Sequence, residues 1–406
     1  MFKIDTQKAL KIIILFALIN SSIFLAFIPQ GALRLVIVIL MNISGVLLIT
    51  FFFKKIFKSP NMSLYFRVIL FFLILWSISI FLRGFSLNGK LLITLFGHYL
   101  MGWAWLTPMA VVFGFDIENW FVLLYFLKKT VFFGALLGLG AFFYSTRQVF
   151  GLMEWVVLFV PLLLTSLYYR IISKSMMLFI VFSFLLLSVA GSQRANIVFF
   201  VLVIMFLIFE YFQESSIKIY NKIFLSLSLI LMGMFLLLKV DAYISKASQN
   251  KEVTTNTRTF LFVELFADMS YSELIVGRGS LGRYYSPYFA EWNKHHTGGD
   301  SEMRSVSEVG YLEMILKGGF MIMGLYLLFL IPASFLGIFA SKNIITRMSG
   351  YLILAYLLLW TVSYYPIYSA EYLILWMAAG TAVSKRLRRL TNEDLLIYIK
   401  RGNIYA

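Results

Sequence analysis

The sequence predicts an all-α polytopic membrane protein with about 12 transmembrane helices and one long, partly helical outer loop between spans nine and ten. Hydrophobic residues make up 61% of the 406-residue chain and charged residues only 13%. Soluble domains are about half apolar and about a quarter charged. Long apolar runs recur, and about 20 helical residues cross a ~30 Å hydrocarbon core. Length therefore sets the number of spans, not a number of soluble domains.

Twelve spans follow from the apolar runs. They are predicted at residues 11–29, 33–53, 65–83, 91–113, 124–145, 154–170, 173–190, 195–212, 220–239, 309–333, 347–365 and 369–385. Lysines precede the first run, as in a signal peptide, but the run is long, lacks a clear small-residue cleavage site and is followed at once by another span. A retained first helix is therefore expected.

The distribution of Lys and Arg predicts the orientation of the spans. With the N-terminus inside, twenty-one of the 35 Lys and Arg residues fall on inner segments and five on short outer loops. Because these residues accumulate on the cytoplasmic side, both termini are expected to be cytoplasmic and the long loop to face outward. The net charge of +16 then largely reflects the orientation of the spans and does not indicate nucleic-acid binding. The chain divides into spans one to nine (1–239), the loop (240–308), spans ten to twelve (309–385) and a tail (386–406).

The polar stretch between Lys239 and Gly310 is the candidate functional region, because a membrane protein with one large polar excursion usually does its chemistry or recognition there. A helix is predicted from about Thr257 to Met269, capped by Thr254-Thr255-Asn256. Four residues are expected to supply its apolar face: Phe260, Leu261, Leu265 and Phe266. The aromatic run that follows, from Tyr284 to Tyr288, suits either a sugar-contacting surface or an interfacial aromatic belt.

Gly277-Arg278-Gly279-Ser280-Leu281-Gly282 matches the G-x-G-x-x-G pattern of dinucleotide sites. That function is rejected, because no βαβ unit surrounds the motif and it is expected outside the membrane. A tight turn that places Arg278 is the preferred interpretation.

The short turn Gly191-Ser192-Gln193-Arg194-Ala195-Asn196 joins spans seven and eight on the outer side. Arg194 is either an interface anchor or an anion ligand. The second interpretation draws on the helix that begins near Asn196, whose N-terminal amides and dipole attract anions. A guanidinium beside a helix N-terminus is a good diphosphate receptor.

Metal and thiol chemistry have no support in the sequence. Cysteine is absent, which excludes disulfides and thiolate ligands. The sequence contains no DxD, no HExxH and no Cys/His metal spacing, and the first outer loop, Pro29 to Arg34, contains no acid. Metal-dependent membrane glycosyltransferases often carry acids in that loop, so no metal and no cofactor are expected. His98, near Trp103 and Trp105, is expected to be a packed histidine.

These features together resemble the O-antigen polymerase (Wzy) and O-antigen ligase (WaaL) superfamily. The long outer loop before span ten and the Arg194 turn carry the resemblance. Four further motifs carry it: Asn256-Thr257-Arg258, Ile275-Val276-Gly277-Arg278-Gly279, Glu308-Val309-Gly310-Tyr311-Leu312-Glu313 and Lys317-Gly318-Gly319. The ligases have a histidine about where Glu308 falls, and His295 and His296 lie more than ten residues too early. The resemblance therefore implies a polymerase rather than a ligase.

The resemblance implies glycosyl transfer between undecaprenyl-diphosphate-linked oligosaccharides, a donor and an acceptor, at the outer face of a bacterial inner membrane. Membrane lipid and a chain-length regulator protein are the other expected partners, and nucleic acid is not. Without a metal, arginines must meet the charge that develops on the diphosphate.

The candidate catalytic residues are Arg194, Arg258 and Glu308. Glu308 is the first choice of base, and its alternative role is a cap or an ion pair with Arg304. The remaining candidates are expected to bind substrate: Arg278, Arg283, Tyr285, His296, Glu302 and Arg304. A ligase onto lipid A–core, a lipid-linked oligosaccharide transporter or flippase, and a non-catalytic scaffold stay open as alternatives.

Overall fold

The computed structural model describes residues 5–26, 32–56, 62–85, 87–142, 165, 169, 171–190, 194–214, 259–296, 301–363 and 365–401. Most of them are helical, as the composition predicts. The predicted ninth span, 220–239, lies outside the described residues, and so does the sixth, 154–170, apart from Thr165 and Tyr169.

Eight helical segments form the first half of the described chain. They are α1 (Thr6–Ala26), α2 (Ala32–Ile56), α3 (Leu64–Arg83), α4 (Gly89–Gly97), a 3₁₀ helix (Gly102–Phe115), α5 (Ile117–Phe142), α6 (Lys174–Ala190) and α7 (Arg194–Glu214). The loop contains α8 (Thr259–Asp268), α9 (Tyr271–Val276), β1 (Tyr284–Tyr285), α10 (Pro287–His296) and β2 (Met303–Arg304). The last part contains α11 (Gly310–Phe339), α12 (Ile344–Leu359), α13 (Ala370–Val383), α14 (Lys385–Arg389) and α15 (Asn392–Arg401).

Four of the described helices are long and apolar enough to cross a membrane, judged by length and composition. They are Leu35–Ile56, Leu64–Arg83, Ile117–Gly140 and Gly310–Phe339. Four shorter apolar helices accompany them, at Lys174–Leu187, Ala195–Glu210, Ile344–Leu359 and Ala370–Val383. The chain is thus a helical, membrane-embedded protein, and the full set of twelve spans stays a prediction.

The predicted fourth span is not one continuous α-helix. α4 ends at Gly97, and the chain then continues as the 3₁₀ helix, all of whose residues are buried. Pro108 lies inside it, and proline lacks the N–H that an α-helix needs and clashes with its preceding turn. The 14 residues extend about 28 Å at about 2.0 Å each, which still matches the thickness of a membrane.

Small residues let the 3₁₀ helix approach α13 closely. A Cβ on Gly114 would collide with the Met377 carbonyl, and one on Gly380 would collide with the Val111 carbonyl. The Thr381 hydroxyl donates to Gly114 O at 2.9 Å across the same contact. This pair of helices forms the centre of the bundle. Small residues at helix contacts allow the same close approach in many membrane proteins.

Polar contacts join segments that the charge pattern assigns to the same side. Asp116, just before α5, pairs with Lys55 of α2 and with Arg386 of α14. At the other end, Arg83 of α3 donates to the carbonyl of Gly277 in the loop. Each of these contacts joins segments that the predicted topology puts on one side, and the topology itself stays a prediction. Which end meets the cytoplasm stays a prediction.

Candidate functional site

The membrane helix α11 is broken near its N-terminal end, at Gly319. This residue has a φ of +71° and a ψ of −175°, which leaves the helical region. Carbonyls in the turn before such a break need donors from outside the helix. Three donors are present: Arg278 N–H to Leu316 O at 2.8 Å, Gly279 N–H to Lys317 O at 2.9 Å, and the Trp76 indole N–H to Gly318 O at 2.8 Å. The loop and α3 thus complete the hydrogen bonds of α11.

Glycines make this contact between two backbones possible. Gly277 and Gly279 have φ values of +75° and +81°, which L side chains rarely adopt. A Cβ on Gly277 would overlap the backbone of Lys317 and Gly318, and a Cβ on Gly319 would overlap the Ile275 carbonyl. The G-x-G-x-x-G motif is therefore a tight turn, as predicted, and its role is to dock on the broken helix.

Arg278 holds the turn together from inside the loop. Its guanidinium donates to the carboxylates of Asp268 and Glu273 and to the carbonyls of Asp268 and Arg283. These bonds use all five N–H groups of the side chain. The hydrogen bond from Arg278, helped by one from the Ser270 amide, lowers the pKa of Glu273 to about 2. The bond to Glu273 in turn raises the pKa of Arg278. This geometry gives Arg278 a structural role and leaves none of its donors for the substrate contact expected from the sequence.

A buried ion pair on α11 holds the next part of the loop. Lys317 Nζ donates to Gly282 O at 2.7 Å and to Ser305 O at 2.6 Å, and it lies 3.7 Å from Glu313 Oε1. Glu313 Oε2 accepts from the Ser307 amide at 2.7 Å. Both side chains are almost fully buried. Charges inside a membrane protein persist only when they are paired or hydrogen-bonded, and these two fix three points of the loop.

The strands β1 and β2 form a short antiparallel ribbon beside that ion pair. Tyr284 lies opposite Arg304, and Tyr285 lies opposite Met303. The ribbon leads into α10, whose first turn is capped by Ser286, and the Ser286 hydroxyl donates to Glu264 of α8 at 2.7 Å. Tyr284 and the N-terminal end of α11 form a small apolar core with Leu261 and Leu265 of α8. Phe266, expected on the apolar face of this helix, lies outside this small core and is 40% exposed.

The ribbon presents candidate residues at the surface. Arg283, Tyr285, Glu302 and Glu308 are exposed, whereas Arg304 is largely covered. Arg304 Nη2 donates to Glu308 Oε1 at 2.8 Å, Nε donates to Val306 O, and the guanidinium lies over the Phe289 ring. The ion pair considered for Glu308 is thus present, although the two residues are not on a helix. Within the described part of the chain, the Arg283 guanidinium makes no hydrogen bond or ion pair.

Other predicted residues lie on helices or outside the described residues. Arg194 is the first residue of α7, close to the helix start that the sequence predicts. His296 is the last residue of α10. Arg258 and the predicted cap Thr254-Thr255-Asn256 lie outside the described residues. The structure therefore brings together Arg283, Tyr285, Glu302, Arg304 and Glu308 on or next to one ribbon.

Three important residues were not singled out in the sequence: Glu313 and Lys317, and Trp76 on a distant helix. The signal for the first two was present, since they are oppositely charged, four residues apart and inside an apolar run. Nothing in the local sequence of α3 indicates that Trp76 donates to α11. His98, expected to be packed, accepts from the Leu100 amide and stacks on Tyr99.

Among the described residues, no three His, Asp or Glu side chains come together in a group that could hold a metal ion. Comparison with protein-family models, with curated proteins and with solved structures finds no match. The resemblance to the polymerase and ligase superfamily therefore stays a prediction from the motifs.

Proposed function

We propose that the chain is a membrane glycosyltransferase that polymerises undecaprenyl-diphosphate-linked repeat units into O-antigen or a capsule-like polysaccharide at the outer face of the inner membrane. The observation that carries the proposal is the pairing of Arg304 with the exposed Glu308, just before the membrane helix α11, on a ribbon whose first strand follows the exposed Arg283. The headgroup of a lipid-linked sugar diphosphate lies at that level. A carboxylate and free cations are the groups that metal-independent transfer from a diphosphate needs.

The proposed reaction is a displacement at the anomeric carbon of the donor. A hydroxyl oxygen of the acceptor attacks this carbon, the glycosidic C–O bond forms, and the C–O bond to the diphosphate breaks. The hydroxyl proton passes to a carboxylate, and the diphosphate leaves with the electron pair. Arginine side chains stabilise its developing charge, and they do so more strongly in a partly dehydrated site.

Glu308 is the proposed base. Its side chain is 55% exposed, so an acceptor hydroxyl can reach it. Arg304 holds Oε1, and Oε2 takes no hydrogen bond from the described residues. In this role Arg304 orients the carboxylate, and general-base help of this kind contributes roughly 10²–10⁴-fold in rate.

Arg283 is the proposed diphosphate ligand of the ribbon, because its donors are not used by described protein groups and those of Arg278 are. Arg194, the first residue of α7, and Arg258, which precedes α8 in the sequence, are proposed as further cations for the diphosphate, and the N-terminus of a helix such as α7 favours an anion. Tyr285, Glu302 and His296 remain the proposed sugar contacts.

The test uses a strain that lacks the chain and is complemented with variants. Arg283→Ala is expected to leave single repeat units on the glycolipid and to remove the long-chain ladder. The matched control is Lys294→Ala, which removes an exposed cation from α10 and is expected to keep the ladder. A full ladder with Arg283→Ala at normal protein level contradicts the proposed diphosphate ligand.

The deletion strain itself separates the alternatives. A polymerase is needed only for chain growth, so single repeat units still reach the surface without it. Loss of all surface glycan, single units included, points instead to a ligase or a flippase. Polymer formation by isolated membranes in the presence of a chelator tests the metal-independent reaction.

A further inference from the structure

The exposed face of α8 is entirely apolar, although α8 belongs to the polar loop. Phe262, Val263 and Phe266 are 40%, 66% and 40% exposed, and Ala267 is exposed beside them. The two acids of the helix face the protein instead: Glu264 binds Ser286, and Asp268 binds Arg278. A helix that faces water normally carries polar residues on its outer side.

This apolar face is continuous with the exposed apolar side of α11. The Phe266 ring stacks on the Phe320 ring, with 6.4 Å between centroids. Phe320 is the first of a line of exposed apolar residues with helical spacing: Phe320, Leu328, Ile331, Phe335 and Phe339. From Phe320 to Phe339 the helix measures about 30 Å at 1.5 Å per residue, which is the thickness of the hydrocarbon core. A hydrocarbon core with one edge at Phe339 therefore has its other edge near Phe320, on the loop side.

We propose that α8 is an interfacial helix whose exposed face inserts into the lipid leaflet on the loop side of the membrane. The occupant of this face is the acyl region of membrane lipid. The turn at Gly277–Gly279 fixes the height of α8, because it is hydrogen-bonded to α11 just before Phe320. An interfacial helix of this kind buries its apolar face about 5–10 Å into the boundary between headgroups and acyl chains.

The absence of cysteine makes the test direct, because single cysteines label without background. Full-length Val263→Cys carries a nitroxide label and is reconstituted into phosphatidylethanolamine–phosphatidylglycerol vesicles. The rates at which the label collides with lipid-soluble oxygen and with a water-soluble nickel chelate then give the depth of the label in the membrane. The label at 263 is expected about 5–10 Å below the phosphate level. Lys294→Cys on α10 is the aqueous control, and Leu328→Cys is the lipid control.

Two results overturn the proposal. Frequent collision with the nickel chelate at 263, as at 294, shows that the face meets water. Exclusion of both reagents shows that protein covers it, whether another segment of this chain, a second copy or a partner. Ala267→Cys reports on the same face if Val263→Cys does not accumulate. None of these outcomes depends on the enzymatic activity.

Discussion

The ammonium of Lys317 lies 3.7 Å from the carboxylate of Glu313, one turn earlier on α11, and both side chains are buried. The pair also reaches three backbone groups of the loop, at Gly282, Ser305 and Ser307. Arg283 and Arg304 each adjoin one of these groups in sequence. A pair of charges on the membrane helix thus positions the surface on which the proposed chemistry depends.

Lys317→Met is expected to destabilise the protein by about 3–5 kcal/mol, because it leaves the Glu313 carboxylate buried without its cation. The measurement is the free energy of unfolding in mixed micelles titrated with sodium dodecyl sulfate. The double variant Lys317→Met/Glu313→Gln is expected to lose less than the two single variants together, since the pair is coupled. Additive losses contradict the coupling.

Gly319→Ala is expected to separate the turn at Gly277–Gly279 from the broken part of α11. Alanine adopts a φ of +71° only with strain of about 1–3 kcal/mol, and its Cβ meets the Ile275 carbonyl. The measurement is the rate at which added protease cuts the loop in oriented vesicles. Gly324→Ala on the same helix is the control, because a Cβ there has nothing within 4 Å. Equal protection of the loop in both variants argues against the docking role.

Glu308→Gln is expected to lower polymer formation roughly 10²–10⁴-fold if Glu308 accepts the hydroxyl proton. Stability is expected to change little, because the side chain is 55% exposed and exposed ion pairs contribute about 0–1 kcal/mol. Glu291→Gln, at an exposed acid of α10, is the matched control. A Glu308→Gln variant with a normal ladder assigns Glu308 a structural role.

The ion pair between Glu273 and Arg278 predicts a pH dependence of stability. The folded pKa of Glu273, about 2, lies below the value of about 4.3 in an unfolded chain. Its contribution is therefore complete above about pH 4.3 and is lost as the pH falls toward 2. The difference in melting temperature between the wild type and Glu273→Gln is expected to be largest near neutral pH and to vanish toward pH 2. A constant difference contradicts this linkage.

The elements of the fold were largely predictable from local patterns. The apolar run predicted a span from 309 and α11 begins at Gly310, and a helix predicted from about Thr257 to Met269 is described as Thr259–Asp268. Glycine spacing predicted the turn at 277–282. These features depend on residues close together in the chain, where periodicity and turn chemistry act.

The pairings between distant segments were not predictable. Arg278 looks like a free cation in the sequence, and only the folded loop shows that Asp268 and Glu273 take its donors. Phe266 was predicted to share one apolar face with Leu261 and Leu265, and it lies on the exposed side instead. The helix α8 is apolar on both sides, and sequence alone does not say which side meets the protein. Likewise, the carbonyls before the break in α11 accept hydrogen bonds from donors on α3 and in the loop, which are distant in the sequence.

The broken helix has a consequence for how the protein is made. Unpaired backbone groups cost several kcal/mol each in lipid, so the first turns of α11 are not stable as an independent membrane segment. Their donors, at residues 278 and 279, are synthesised before α11 and must already be on the same side of the membrane when it arrives. Docking of the loop and final seating of α11 are then one cooperative step in biogenesis, because the hydrogen bonds of α11 are complete only when the loop is in place.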